Sequence, residues 1–87
     1  MESTAEKSDN VLLYPNPAEM NLFVHLDDYQ GMADLSILDL NGTQIFSEYV
    51  HFPLANGLDI SSLQAGIFII EIKTKNKCYN NKLIKLP

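Results

Sequence analysis

The residues of this chain that could do chemistry are few, and their spacing suits little of it. Ser61 and Ser62 could act as nucleophiles with His25 or His51 as base. A serine nucleophile needs a sharp elbow such as Gly-x-Ser-x-Gly and donors for an oxyanion, and neither motif is present. Hydroxyls in a turn are the plainer reading. Cys78 is the only cysteine, so no intrachain disulfide can form. With two histidines it makes no zinc-ligand spacing, and it reads as a small buried hydrophobe. Asp27 and Asp28 with Asp34, or Asp39 with Asp59, could offer oxygens to calcium, but no EF-hand loop is present and adjacent acids in a turn read as solvated. Tyr14, Tyr29, Tyr49 and Tyr79 with Phe23, Phe46, Phe52 and Phe68 could form a sugar-stacking platform, although a small core needs most of them. No enzyme, cofactor or metal is expected.

Charge separates along the chain. All eleven carboxylates lie at or before Glu71, against one lysine there, Lys7. Lys73, Lys75, Lys77, Lys82 and Lys85 follow with no carboxylate among them, and arginine is absent. An acidic chain without arginine is poorly suited to nucleic acid, which would be repelled overall and has no bidentate partner. The lysines read either as a solvated guard on a hairpin or edge strand, or as a positive patch that a receptor reads. No apolar run approaches the ~20 residues of a membrane-spanning helix.

The length of 87 residues allows one domain, with a 46% hydrophobic share that is ordinary for a globular one. A domain this small buries only about 60% of its unfolded surface, so modest stability is expected. Residues 1–10 are acidic and polar without periodicity, and are expected to be a flexible linker or tail preceding a domain over residues 11–87. They hold no apolar stretch of a secretory signal. The expectation is a C-terminal piece of a longer precursor whose signal lies elsewhere.

From Val11 onward strand signals recur every 8–12 residues or so, the spacing of a sandwich or barrel. Val11-Leu12-Leu13 is stopped by Pro15 and Pro17, which cannot donate to a ladder. Residues 21–26 alternate, with Leu22, Val24 and Leu26 on one face and Asn21, Phe23 and His25 on the other. The next strand sets Ala33, Leu35, Ile37 and Asp39 on one parity, and runs to Leu40 with apolar residues on both faces. Asn41-Gly42 then predicts a tight hairpin, because both residues tolerate positive φ. The return strand alternates Gln44, Phe46, Glu48 and Val50 against Ile45, Ser47 and Tyr49. Phe52-Pro53 breaks it, leaving His51 exposed. Leu58 and Ile60 flank Asp59 in a short edge strand, and a corner is preferred there over one helical turn capped by Asp59 or Ser61. Residues 67–72 predict a strand buried on both faces. Residues 78–86 return to close a hairpin, with Ile84 and Leu86 on one parity and Leu83 on the other. The sum is all-β: an immunoglobulin-like β-sandwich of about seven antiparallel strands, without the Cys–Trp–Cys pattern of antibody domains.

Four segments in order carry a resemblance: Leu13-Tyr14-Pro15-Asn16-Pro17-Ala18, Leu38-Asp39-Leu40-Asn41-Gly42, the stretch from Asp59 to Ile72 with Ser61, Leu63, Gly66 and Phe68, and Lys82-Leu83-Ile84-Lys85. Together they resemble the type A C-terminal sorting domain of the type IX (Por) secretion system of Bacteroidetes. Phe68 stands where tyrosine is commoner, and Leu86-Pro87 extends past the lysine near which members usually end. The resemblance implies a sorting signal that directs an N-terminally attached cargo from the periplasm across the outer membrane to the cell surface or beyond. It implies two partners, an outer-membrane translocon and a sortase-type cysteine protease that cuts in or just before residues 1–10, with cargo released or joined to an anionic lipopolysaccharide. The motif residues it singles out are Pro15, Asn16, Pro17, Asp39, Asn41, Gly42, Gly66, Phe68, Lys82 and Lys85. The alternative is an immunoglobulin-like accessory module that binds carbohydrate or packs on a catalytic domain.

Overall fold

A computed structural model describes residues 11–87, so the expected linker over residues 1–10 lies outside the described residues. The described chain forms β1 (Val11–Tyr14), β2 (Asn21–Leu26), β3 (Gly31–Leu38), β4 (Gln44–Phe52), β5 (Leu58–Asp59), β6 (Gly66–Lys73) and β7 (Cys78–Lys85), with no helix. The strands make two antiparallel sheets, β1-β2-β5 and β4-β3-β6-β7. This is the expected sandwich, with the fourth strand placed on the larger sheet.

Alternation explains why each strand has a core face. Leu22, Val24 and Leu26 of β2 oppose Ala33, Leu35 and Ile37 of β3, and Phe68, Ile70 and Ile72 of β6, all within one buried cluster. Leu22, Leu35, Ile37, Phe52, Ile70, Ile72 and Leu83 are fully buried. Burial of a leucine or isoleucine side chain contributes about 1.5–3 kcal/mol, and this offsets the ordering cost of the strands that carry it.

Several expectations fail for one physical reason: among the described residues nothing covers the outer face of the larger sheet. β6 is buried on one face only, since Ile67 is 45% exposed and Ile69 is half-buried. Cys78 is half-buried on that outer side, and burial together with the nearby Glu71 carboxylate pushes its thiol pKa up. On β7 the core parity belongs to Tyr79, Leu83 and Lys85, while Ile84 is half-buried and Leu86 is exposed.

The β3–β4 hairpin also differs. β3 stops at Leu38, so Asp39 and Leu40 belong to the turn. Gly42 donates its N–H to Asp39 O at 3.0 Å, and within this turn only Gly42 takes positive φ, at 87°. A four-residue turn from Asp39 to Gly42, with a left-handed glycine as its last residue, forms a bulged hairpin loop, and the register shifts between Ile37 and Leu38. A two-residue turn with Asn41 at positive φ is not formed. At Asp59 the expected corner is present: its carboxylate accepts from Ser61 N–H at 3.0 Å and Ser61 Oγ at 2.7 Å.

Candidate functional site

Prolines at 15 and 17 end the pairing of β1 with β2, because neither can donate a ladder hydrogen bond. The chain between them crosses to the other sheet. There Asn16 stands in for a strand residue with its side chain. Its Nδ2 donates to Lys82 O at 2.8 Å, and its Oδ1 accepts from Ile84 N–H at 3.0 Å. Ala18, fully buried, continues the contact in a parallel bridge with Lys85. Its N–H donates to Ile84 O at 2.8 Å, and Leu86 N–H donates to Ala18 O at 2.7 Å. Residues 16–18 therefore cover the outer edge of β7 over its C-terminal half. Both side chains suit this: the carboxamide of Asn16 offers a donor and an acceptor on separate atoms, and the methyl of Ala18 is fully buried.

The two lysines of this segment differ in kind. Lys82 is exposed. Lys85 is 6% exposed; its stem lies in the core layer and its Nζ donates to Leu86 O at 2.9 Å. Gly66 and Phe68 are their neighbours through the ladder, with Gly66 opposite Lys85 and Phe68 opposite Leu83. Gly66 has φ 153°, a backbone shape that side chains disfavour, and this lets β6 start against Lys85.

Asp39, Asn41 and Gly42 lie two strands away from β7 at the same end of the sheet, because Leu38 pairs Ile69 and Ile69 pairs Lys82. Asp39 accepts from the N–H groups of Asn41 and Thr43, each at 2.9 Å, and so holds this turn closed. All ten motif residues thus gather at one pole of the sandwich. A crevice of about 540 Å³ adjoins the strap at this pole, lined by Pro15, Pro17, Glu19, Met20, Phe23 and Leu86 among others.

The opposite pole is held by Asp28. Its carboxylate receives Lys77 Nζ at 2.6 Å and the Tyr79 hydroxyl at 2.9 Å, and the Lys77 and Tyr79 hydrogen bonds hold its pKa below the usual value. Lys77 is raised by the same carboxylate, and Tyr79 is raised by burial and then by Asp28.

The remaining candidates do not converge. Ser61 belongs to the Asp59 turn, His25 sits 3.1 Å from Asp27 on an exposed strand face, and His51 is exposed on β4. Asp28, Asp39 and Asp59 serve three separate turns. Among the described residues no group of three or more His, Cys, Asp or Glu side chains could hold a metal ion. Tyr14 and Phe23 stack on each other at 5.5 Å, and Phe23 also lies against Gly57, where an added Cβ would come within 3.0 Å of its ring. Phe23 is thus in contact with both Tyr14 and Gly57, and remains 41% exposed.

Residues 12–86 match the family of secretion system C-terminal sorting domains. The chain belongs to that family. It is a sorting domain of the type IX secretion system, a family of signals and not a known family of enzymes. No curated protein matches the chain. The sorting signal implies export to the cell surface or the extracellular space, and an interaction with the type IX machinery. No helix among the described residues is long and apolar enough to cross a membrane.

The contribution of Ala18 and of the β7 backbone to the pole was not legible from motifs alone. The available signal was chemical: in Pro15-Asn16-Pro17 two of three residues lack an N–H, so any donor from this segment has to come from Asn16, through its backbone N–H or its side chain.

Proposed function

We propose that this domain is a non-catalytic address label, read by the outer-membrane translocon at the pole built from residues 15–18 and the end of β7. The label would conduct an N-terminally attached cargo out of the periplasm, and a sortase-type cysteine protease would then remove it by cutting in or just before residues 1–10. In this reading Pro15, Asn16, Pro17, Gly66, Phe68 and Lys85 shape the surface, Asp39, Asn41 and Gly42 close the neighbouring turn, and Lys82 supplies an exposed charge. The observation that carries the reading is the joining of two family motifs, far apart in sequence, through the Asn16 hydrogen bonds to β7. A second support is polarity: Val11 pairs with Leu26 beside the Asp28 turn, at the pole away from Lys85. Cargo attached before Val11 would leave the recognition pole clear.

The test fuses the full 87-residue chain behind a signal peptide and a folded reporter in a host with an intact type IX system. Reporter outside the cell, and reporter in the periplasm when the domain is omitted, is the expected result. Reporter held in the periplasm with the domain present would overturn the reading.

A further inference from the structure

The edges of the two sheets are not equally protected. The outer edge of β7 is covered over its C-terminal half by residues 16–18, β1 is four residues long, and β5 is two. β4 ends the larger sheet, runs for nine residues, and has no strand on its far side among the described residues. It contains no lysine and no proline, the residues that usually blunt such an edge.

Beside this edge the sandwich is open. A crevice of about 350 Å³ lies between β4 and the loop leading into β5, lined by Phe46, Glu48, Val50, Leu54, Leu58 and Asp59 among others. Phe46, Glu48 and Val50 share the core-facing parity, since their ladder partners are Ile37, Leu35 and Ala33. Along the margin they read apolar, acidic, apolar. Glu48 is exposed and is the carboxylate of this margin. Residues 44–59 contain no lysine or arginine to neutralise it.

We propose that the β4 edge docks an extended basic segment of a protein partner, which adds to the larger sheet as a fifth strand. Strand addition supplies affinity through backbone hydrogen bonds and specificity through every second side chain. The segment this margin fits carries an apolar residue, a lysine or arginine, and another apolar residue at alternate positions. The apolar pair meets Phe46 and Val50, and the basic residue lies alongside Glu48. A second copy of β4 fits less well, since its only basic group is His51, on the other parity.

The test titrates the ¹⁵N-labelled full chain with the peptide Ac-Thr-Val-Thr-Lys-Thr-Val-Thr-NH₂ and with its counterpart carrying glutamate in place of lysine. Saturable amide shifts confined to residues 44–59, with slowed hydrogen exchange along β4, are expected for the lysine peptide alone. Glu48→Lys, at an exposed side chain, should keep the native spectrum and weaken that peptide at least about tenfold. The same variant should now prefer the glutamate peptide. No shifts up to millimolar peptide, shifts centred elsewhere, or equal binding of both peptides would overturn the proposal. So would concentration-dependent pairing of the protein alone through β4, which would make a second copy the occupant.

Discussion

Asp28 shows how a single exposed carboxylate can bind two turns. It joins the β2–β3 turn to the start of β7, through Lys77 Nζ and the hydroxyl of the buried Tyr79. Its pKa is lowered in the folded chain, below an ordinary value of 3.8. A lowered carboxylate adds stability above its unfolded pKa, and that stability is lost as pH falls through the folded value. The melting temperature should therefore decline as pH drops from about 4 toward 2, and Asp28→Asn should flatten that decline. Lys77 and Tyr79 have raised values, so their share is complete below pH 10 or so and is lost as pH climbs through the folded values. Thermal melts of both proteins across the acid range decide the point; superimposable slopes would remove Asp28 from the account.

At the scale of elements, the strap over β7 deserves a separate prediction because it joins segments 66 and 68 residues apart. Asn16→Ala should lose both hydrogen bonds to the β7 backbone and cost roughly 1–2 kcal/mol, less than a buried pair because water can reach the site. Asn16→Asp keeps the acceptor for Ile84 N–H but sets a carboxylate oxygen against Lys82 O, so it should be no more stable than Asn16→Ala. Urea unfolding gives the cost, and hydrogen exchange at Ile84 reports the local opening. Unchanged stability together with unchanged exchange at Ile84 would mean that the strap holds nothing. This long-range contact also marks the limit of what the sequence discloses. Alternation in residues 21–26 and 33–37 disclosed which side chains face the core, because period two is a local property. The run from Ile67 to Ile72 disclosed a strand but misled on its second face, since hydrophobicity cannot say whether a covering layer exists. Asp39 read as a strand residue for a similar reason: parity continues through a turn until a carboxylate captures the backbone. The motif residues were legible one by one, whereas their meeting at one pole depends on register across three strands, β3, β6 and β7, and on the strap.

For the whole molecule, the difficulty is to separate recognition from folding, because the proposed recognition pole is also a sheet edge. Deleting the chain from Lys82 onward would remove half of β7, the ladder partners of Gly66 and Phe68, and every acceptor and donor of the strap. A reporter trapped in the periplasm by that deletion would say only that the domain had unfolded. The two lysines allow a cleaner cut. Lys85 is buried and its substitution disturbs the core layer, so any secretion defect there mixes two causes. Lys82 is exposed, and Lys82→Gln should change stability by no more than about 0.5 kcal/mol. If its ammonium meets the translocon, export of the reporter should nevertheless fall by roughly tenfold, the scale of one charge-assisted hydrogen bond. The melting temperature of the purified variant and the extracellular fraction of the fused reporter must be measured together. A folded Lys82→Gln domain that is exported like the parent would shift recognition away from this charge and onto the shape of the strap, where Asn16→Ala, if it stays folded, would carry the defect instead.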